Sequence, residues 1–163
     1  ITANMMNQAT ELILVLHNQN PEKPIKLVVT TPGGDIDSAI AFYEEMRRKK
    51  IRLHGHVSHS ADSVSIVILS ACERRTATSS STFVFHPVTK WPNRLVTEEE
   101  LWLLARDATH SRETFCRIVA NTIGRKPEEI RRLMLDYKRL GAQEAKRMKL
   151  IHRVVRINPV ATA

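Results

Sequence analysis

The sequence predicts an α/β fold in which helices cover a mostly parallel sheet. Three observations support this. Segments with helical spacing of apolar residues alternate with short runs rich in β-branched residues. The chain has 163 residues, of which 42% are hydrophobic and 26% charged, as in an ordinary globular domain. It also contains no fixed-period repeat and no long linker, so we expect a single domain over residues 1–163.

The first half of the chain predicts three helices and two strands. Apolar residues recur at helical spacing over residues 2–18 and 36–49, and the unbroken apolar segment 64–72 is typical of a buried helix. The runs 25–30 and 51–57 are short and rich in β-branched residues, which favours buried strands.

The second half begins with a predicted strand over residues 82–86 (TFVFH) and a loop over 87–96. Thr97 and Glu100 form a capping-box pattern, which predicts the start of a long helix that ends near residue 122. The remaining predicted elements are a helix that begins at Pro127, a helix over 142–149 and a last strand over 151–157.

Composition excludes several classes of protein. Two cysteines, Cys72 and Cys116, cannot form a disulfide framework or a four-cysteine zinc site. No apolar run approaches the ~20 residues that cross a bilayer. The first seven residues do not resemble a signal peptide, and the chain does not begin with Met, so we expect a cytoplasmic protein whose N-terminus is trimmed.

The formal charge of +8 is concentrated at the end of the chain. From Arg125 onward the sequence contains eleven Lys and Arg but four Asp and Glu. Aromatic residues make up 5% of the chain and none lies within this basic cluster, so no base-stacking platform is visible. Nucleic-acid binding is therefore not favoured. A solvated surface or a rim that meets an acidic partner subunit explains the cluster as well.

Three features follow predicted strands, where α/β proteins place their sites. The pair Gly33-Gly34 can direct a peptide N–H toward a developing oxyanion. Ser63 begins the apolar helix and can serve as a nucleophile, whereas His86 closes a strand and can serve as its base. Each also has a purely structural interpretation: a plain turn, a helix N-cap serine and a core histidine.

The ordered set of these motifs resembles the proteolytic subunit of the Clp protease, the ClpP family. That family carries S-P-G-G in its oxyanion turn, A-S-M-G-A-F-L-L-A-A-G around its nucleophile, and an R-x-A element before M-I-H-Q-P. The corresponding segments here are TPGG (31–34), DSVSIVILSAC (62–72), RTA (75–77) and VFHP (84–87). Ser63 follows Gly34 by 29 residues without a gap, and His86 follows Ser63 by 23, two fewer than in housekeeping members. The spacing is similar to that of a divergent ClpP-like branch.

The resemblance implies a ClpP/crotonase-type spiral of β-β-α units with a protruding handle helix. It implies a serine endopeptidase in which Ser63 attacks, His86 takes the proton, and the amides of Gly34 and Val64 bind the oxyanion. No metal and no organic cofactor are implied. The implied assembly is a homo-oligomer of heptameric rings stacked as a tetradecamer, which receives unfolded polypeptide from a separate Clp ATPase. The chain itself has no G-x-x-x-x-G-K phosphate loop.

The resemblance also implies a third catalytic residue, an aspartate that orients the histidine, and its position in this sequence is less well defined. Aligning GAQEA (141–145) with the family's S-A-x-E-A element places Tyr137 where the family has aspartate, with Asp136 as its neighbour. Either Asp136 orients His86, or the site is a Ser-His dyad. Ser60 is a second candidate nucleophile.

Other functions stay open. A catalytically inactive ring subunit with a scaffold role would share the fold, and the Tyr137 substitution favours it. Crotonase-type acyl-CoA enzymes use a similar oxyanion turn, but their acids and bases are usually carboxylates. His54 and His56 would share one face of a strand near His59, which suits a metal, although polar neighbours of a cleft are the simpler interpretation.

Overall fold

Helices and strands alternate along the chain, and this confirms the predicted α/β class. The computed structural model describes residues 1–156, so Ile157, the last residue of the predicted final strand, lies outside the described residues. The elements in chain order are α1 (Ala3–Gln19), β1 (Ile25–Thr31), α2 (Ile36–Arg48), β2 (Leu53–Ala61), α3 (Ser65–Ser70), β3 (Arg74–Thr78), β4 (Thr82–Val84), α4 (Glu98–Ile123), α5 (Pro127–Leu135), β5 (Arg139–Gly141), α6 (Ala142–Arg147) and β6 (Arg153–Val155).

The sheet is built around β2. β1 runs parallel to it along one edge, while the other edge pairs in parallel first with β3 and then, at Ser60 and Thr82, with β4. β6 continues the sheet in parallel beyond β3, and β5 is antiparallel to β4. Because β2 changes partner along its length, the mostly parallel sheet curls at this point and brings β4 close to the end of β2.

The core lies between this sheet and its helices. Every residue of α3 is buried, as the sequence predicted for an apolar segment, although α3 is shorter than the predicted 64–72. Phe85 and Phe115 pack edge to face with ring centroids 6.5 Å apart, which joins the segment after β4 to α4. The end of β4 is therefore held between α4 and the sheet.

Two strands, β3 and β5, were not predicted. β2 ends at Ala61, four residues beyond the end of the predicted strand 51–57. The charged residues of β3 suggested the end of a helix, yet Arg75 is 6% exposed. Its guanidinium donates hydrogen bonds to the carbonyls of Leu150 at 2.8 Å and Cys72 at 2.9 Å. Both hydrogen bonds stabilise a buried cation in a strand. The bond to Leu150 spans 75 positions of the chain, so local sequence patterns do not contain it.

The long helix α4 confirms the predicted capping box at Thr97 and Glu100. One face of its second half is buried, whereas Trp102, in its first half, is 72% exposed. The helix therefore projects beyond the core, as the predicted handle does. Within residues 1–156, no helix combines the length and the apolar character that crossing a membrane requires.

Candidate active site

Ser63 lies in the sharp turn between β2 and α3. Its φ of +58° falls in the left-handed region, which is uncommon for a residue with a side chain and is typical of strained functional turns. Its amide donates a hydrogen bond of 2.7 Å to the Val84 carbonyl. The residue at the N-cap of α3 is Val64, and within residues 1–156 the Ser63 hydroxyl makes no hydrogen bond. The N-cap interpretation of Ser63 therefore fails.

The double-glycine turn lies against Ser63. Gly33 has φ +110°, and a Cβ there would lie 2.7 Å from the Ser63 Cβ and 3.3 Å from its hydroxyl oxygen. Gly34 has φ +146° and packs against the backbone of Ile1 so closely that no side chain would fit. Only glycines allow this backbone to approach the serine.

The amides of Gly34 and Val64 lie at the turns on either side of the cleft. Within the described part of the chain, neither N–H donates a hydrogen bond, and both residues line the same cleft. Free peptide N–H groups beside a hydroxyl are what an oxyanion site requires.

His86 is held in one tautomer. Its Nδ1 lies 2.7 Å from the Pro87 carbonyl oxygen, and a carbonyl can only accept, so Nδ1 carries the proton. The neutral ring then has its lone pair on Nε2. This is the form in which a histidine can take a proton from a hydroxyl.

Gly34, Ser63, Val64 and His86 line one small cleft of about 50 Å³. Its other lining residues are mainly apolar and come from the ends of the surrounding elements: Ile36, Pro87, Val88, Thr89, Phe115 and Met134. No hydrogen bond joins the Ser63 hydroxyl to the His86 ring among the described residues. The fold thus places four of the five predicted site residues around one cleft.

The fifth predicted residue, Asp136, is at the end of α5. It is the C-cap of α5, where its amide bonds to the carbonyl of Arg132, and it is not among the residues that line the cleft. Within residues 1–156 no hydrogen bond joins its carboxylate to His86. The neighbouring Tyr137 has φ +49° and is 65% exposed.

Asp62 is a residue that the sequence analysis missed. Its Oδ1 is buried and has no hydrogen-bond partner within residues 1–156. Burial raises the pKa of the Asp62 carboxyl, although Arg139, the Val84 amide, His86 and His59 all act to lower it. The available signal was an acidic residue directly before the candidate nucleophile, where the ClpP-family motif has alanine.

The other candidate residues lie outside the cleft. Ser60 is within β2, paired with Thr82 of β4. Burial raises the pKa of the Cys72 thiol to about 12 and that of Cys116 to about 11, so neither is a thiolate at neutral pH.

The three histidines of β2 do not converge on one point. His54 Nε2 lies 3.0 Å from a Glu73 carboxylate oxygen, and His56 Nδ1 lies 2.8 Å from the Thr76 hydroxyl. Among the described residues, no three His, Cys, Asp or Glu side chains are grouped so that they could hold a metal ion.

Comparison with known proteins gives the family of this chain. The family model described as Clp protease matches residues 1–158. The chain is also similar to the ATP-dependent Clp protease proteolytic subunit 2 of Frankia casuarinae, with 26% identity over 153 residues that cover 92% of this chain and 69% of that protein. The curled α/β sheet with its projecting helix has the ClpP/crotonase fold that the motifs implied. This chain belongs to the Clp protease family.

Proposed function

We propose that this chain is a serine endopeptidase subunit with Ser63 as nucleophile and His86 as general base. The observation that carries the proposal is the shared cleft, which is lined both by a hydroxyl with no hydrogen-bond partner in residues 1–156 and by an imidazole whose Nε2 lone pair is available. The positive φ of Ser63 supports it, because a strained turn between a strand and a helix is a recurrent way to present a nucleophile.

The proposed reaction follows from these groups. The Ser63 oxygen attacks the peptide carbonyl as its proton moves to Nε2 of His86, and the amides of Gly34 and Val64 bind the resulting oxyanion. The tetrahedral intermediate collapses, and the amine leaves with the proton from Nε2. Water then attacks the acyl-serine ester, giving a proton to His86, which returns it to the Ser63 oxygen as the carboxylic acid leaves.

Assembly into rings extends the proposal. The family implies heptameric rings stacked in pairs, with unfolded polypeptide delivered by a Clp ATPase. The first half of α4 supports the stacking, because Leu101, Trp102 and Leu103 are exposed there among the residues that the structure describes. Burial of such a surface between rings would stabilise the particle.

A fluorophosphonate probe tests the peptidase proposal directly, because it reacts with activated serines and does not require the natural substrate. We expect the assembled protein to be labelled, labelling to be lost in Ser63→Ala, and labelling to persist in Ser60→Ala. Loss of labelling in Ser60→Ala with retention in Ser63→Ala would reverse the assignment.

A non-catalytic ring subunit is the second candidate. Two observations favour it: Tyr137 occupies the position of the family's aspartate, and Asp136 is not among the residues that line the cleft. An assembled ring that the probe does not label would support this scaffold role.

A fluorogenic peptide assay on Asp136→Ala tests the third member of the triad separately, and unchanged turnover would remove Asp136 from the triad.

A further inference from the structure

A groove of about 670 Å³, which we call the sheet groove, lies across β1, β2, β3 and the start of β6. It is on the sheet face opposite α3, because a Cβ on Gly55 would lie 2.8 Å from the Leu69 side chain in α3. Side chains alternate along a strand, so His54 and His56 point to the other face. Val28, on β1 in the same groove, is 65% exposed. This face of the sheet is therefore open in the part of the chain that the structure describes.

One row of the sheet groove consists of basic side chains in register on three neighbouring strands. Lys26 of β1 pairs with His54 of β2, and His54 pairs with Arg74 of β3. Neighbouring strands lie about 4.8 Å apart, so the row places two permanent cations about 10 Å apart with an imidazole between them. Like charges on neighbouring strands destabilise a sheet, so such a row favours an anion that binds across it.

The acidic residue of the sheet groove does not neutralise this row. The Glu73 carboxylate lies 3.0 Å from His54 Nε2 and 3.2 Å from Nε of Arg52, which lies outside the groove. Within residues 1–156, Lys26 and Arg74 form no ion pair with a carboxylate. Both cations are exposed and stay available to a partner.

A second row combines apolar, polar and basic groups. Val28 pairs with His56, His56 with Thr76, and Thr76 with Arg153 of β6. The Thr76 hydroxyl donates its single proton to the Gly55 carbonyl at 3.3 Å, so it accepts from His56 Nδ1 at 2.8 Å. In the neutral ring Nε2 is then an acceptor, which a peptide N–H can donate to and a phosphate oxygen cannot. This row suits a peptide.

A buried cation adds to the positive charge of the sheet groove. Arg75 lines it and is 6% exposed. Its guanidinium donates to the carbonyls of Leu150 and Cys72, and within residues 1–156 it has no carboxylate partner. Carbonyls satisfy its N–H groups but leave its charge uncompensated. An external carboxylate would interact favourably with this charge as well as with the exposed cations.

We propose that the sheet groove binds an acidic segment of a partner protein. Its carboxylates would lie opposite Lys26, Arg74 and Arg153, and an apolar side chain between them would pack on Val28. Three residues of an extended segment span the distance of about 10 Å between the outer cations of the first row. The proposal does not depend on the peptidase function, because none of these residues lines the active-site cleft.

The test measures peptide binding to the full chain by fluorescence anisotropy. The probe is a heptapeptide with leucine at its centre and glutamate elsewhere, labelled with an uncharged fluorophore. A peptide with glutamine in place of glutamate shows whether charge is needed, and a labelled oligothymidylate represents nucleic acid. The test variant is Lys26→Glu with Arg74→Glu. Arg132→Glu with Lys146→Glu is the matched control, because it changes the net charge equally at exposed positions of α5 and α6.

We expect the glutamate peptide to bind wild type and the glutamine peptide to bind far more weakly. The groove variant should bind the glutamate peptide roughly tenfold more weakly or worse, because two attractive pairs become repulsive. The control should stay within about twofold of wild type, since screening over about 10 Å at 0.1 M salt limits the effect of distant charges. Affinity should fall as salt is raised.

Equal losses in the groove variant and the control would overturn the proposal, because net charge alone would explain binding. Equal binding of the two peptides, or no binding of the glutamate peptide to wild type, would also overturn it. Tighter binding of oligothymidylate that only the groove variant loses would assign the groove to nucleic acid instead. A smaller particle mass in the groove variant alone would assign it to a second copy of this chain. If the double variant does not fold, Lys26→Gln and Arg74→Gln singly decide, each expected to weaken binding.

Discussion

The Ser63 amide donates a hydrogen bond of 2.7 Å to the Val84 carbonyl. This bond joins the turn that carries the hydroxyl to the strand that ends just before His86. The two proposed catalytic residues are 23 positions apart in the chain, and this bond helps to fix their relative position. The cleft therefore depends on the pairing of β2 with β4 and on the glycines that let the first turn approach.

Gly33→Ala is expected to disrupt the cleft. Its Cβ would lie 2.7 Å from the Ser63 Cβ, and its φ of +110° is strained for alanine, so we expect a loss of about 1–3 kcal/mol of unfolding free energy. The rate of fluorophosphonate labelling of Gly33→Ala should also fall, because the cleft is disrupted. Gly141→Ala is the matched control, because a Cβ there meets nothing within 4 Å. Equal stability of the two variants by urea unfolding would contradict the described approach of Gly33 to Ser63.

Asp62→Asn is expected to stabilise the fold at neutral pH. Burial raises the pKa of Asp62 in the folded state above its ordinary value of 3.8, so the folded protein binds this proton more tightly than the unfolded chain does. The cost of the ionised carboxylate is fully present above the folded-state pKa and disappears below the unfolded one. The stability difference between Asn variant and wild type should therefore shrink as pH falls from 8 toward 4, measured by urea unfolding. A difference that is constant with pH would show that the carboxyl is not desolvated.

Arg75→Met is expected to cost about 3 kcal/mol of unfolding free energy or more, because it removes a buried cation's hydrogen bonds and leaves the carbonyls of Leu150 and Cys72 without their partner. The substitution should weaken the contact between β3 and the segment that precedes β6. Arg74→Met, at an exposed position of the same strand, should change stability by less than about 0.5 kcal/mol. Similar melting temperatures for the two variants would argue against the buried position of Arg75.

Trp102→Asp should reduce the mass of the assembled particle. A carboxylate on the exposed half of α4 would have to be desolvated in the proposed ring-to-ring contact, whereas Trp102→Phe keeps an apolar ring. Native mass spectrometry or light scattering would measure the effect. A full-size particle formed by the Asp variant would place the ring contact elsewhere.

The amino-acid sequence by itself determined the α/β class and most helix positions, and it predicted the glycine turn, the serine and the histidine that the fold places around one cleft. Those depend on local periodicity, on glycine's access to positive φ and on motif spacing, all of which a linear sequence contains. The capping box between Thr97 and Glu100 was also predictable, because it joins residues three positions apart in the chain.

Only the tertiary structure decided what surrounds each charge. Arg75 belongs to a strand because distant carbonyls of Leu150 and Lys149 accept from it. One carboxyl oxygen of Asp62 is shielded from solvent, whereas Asp136 caps a helix and is not among the residues that line the cleft. The reason is that the free energy of a charged side chain depends on burial and on partners brought together by folding, which spacing along the chain does not encode.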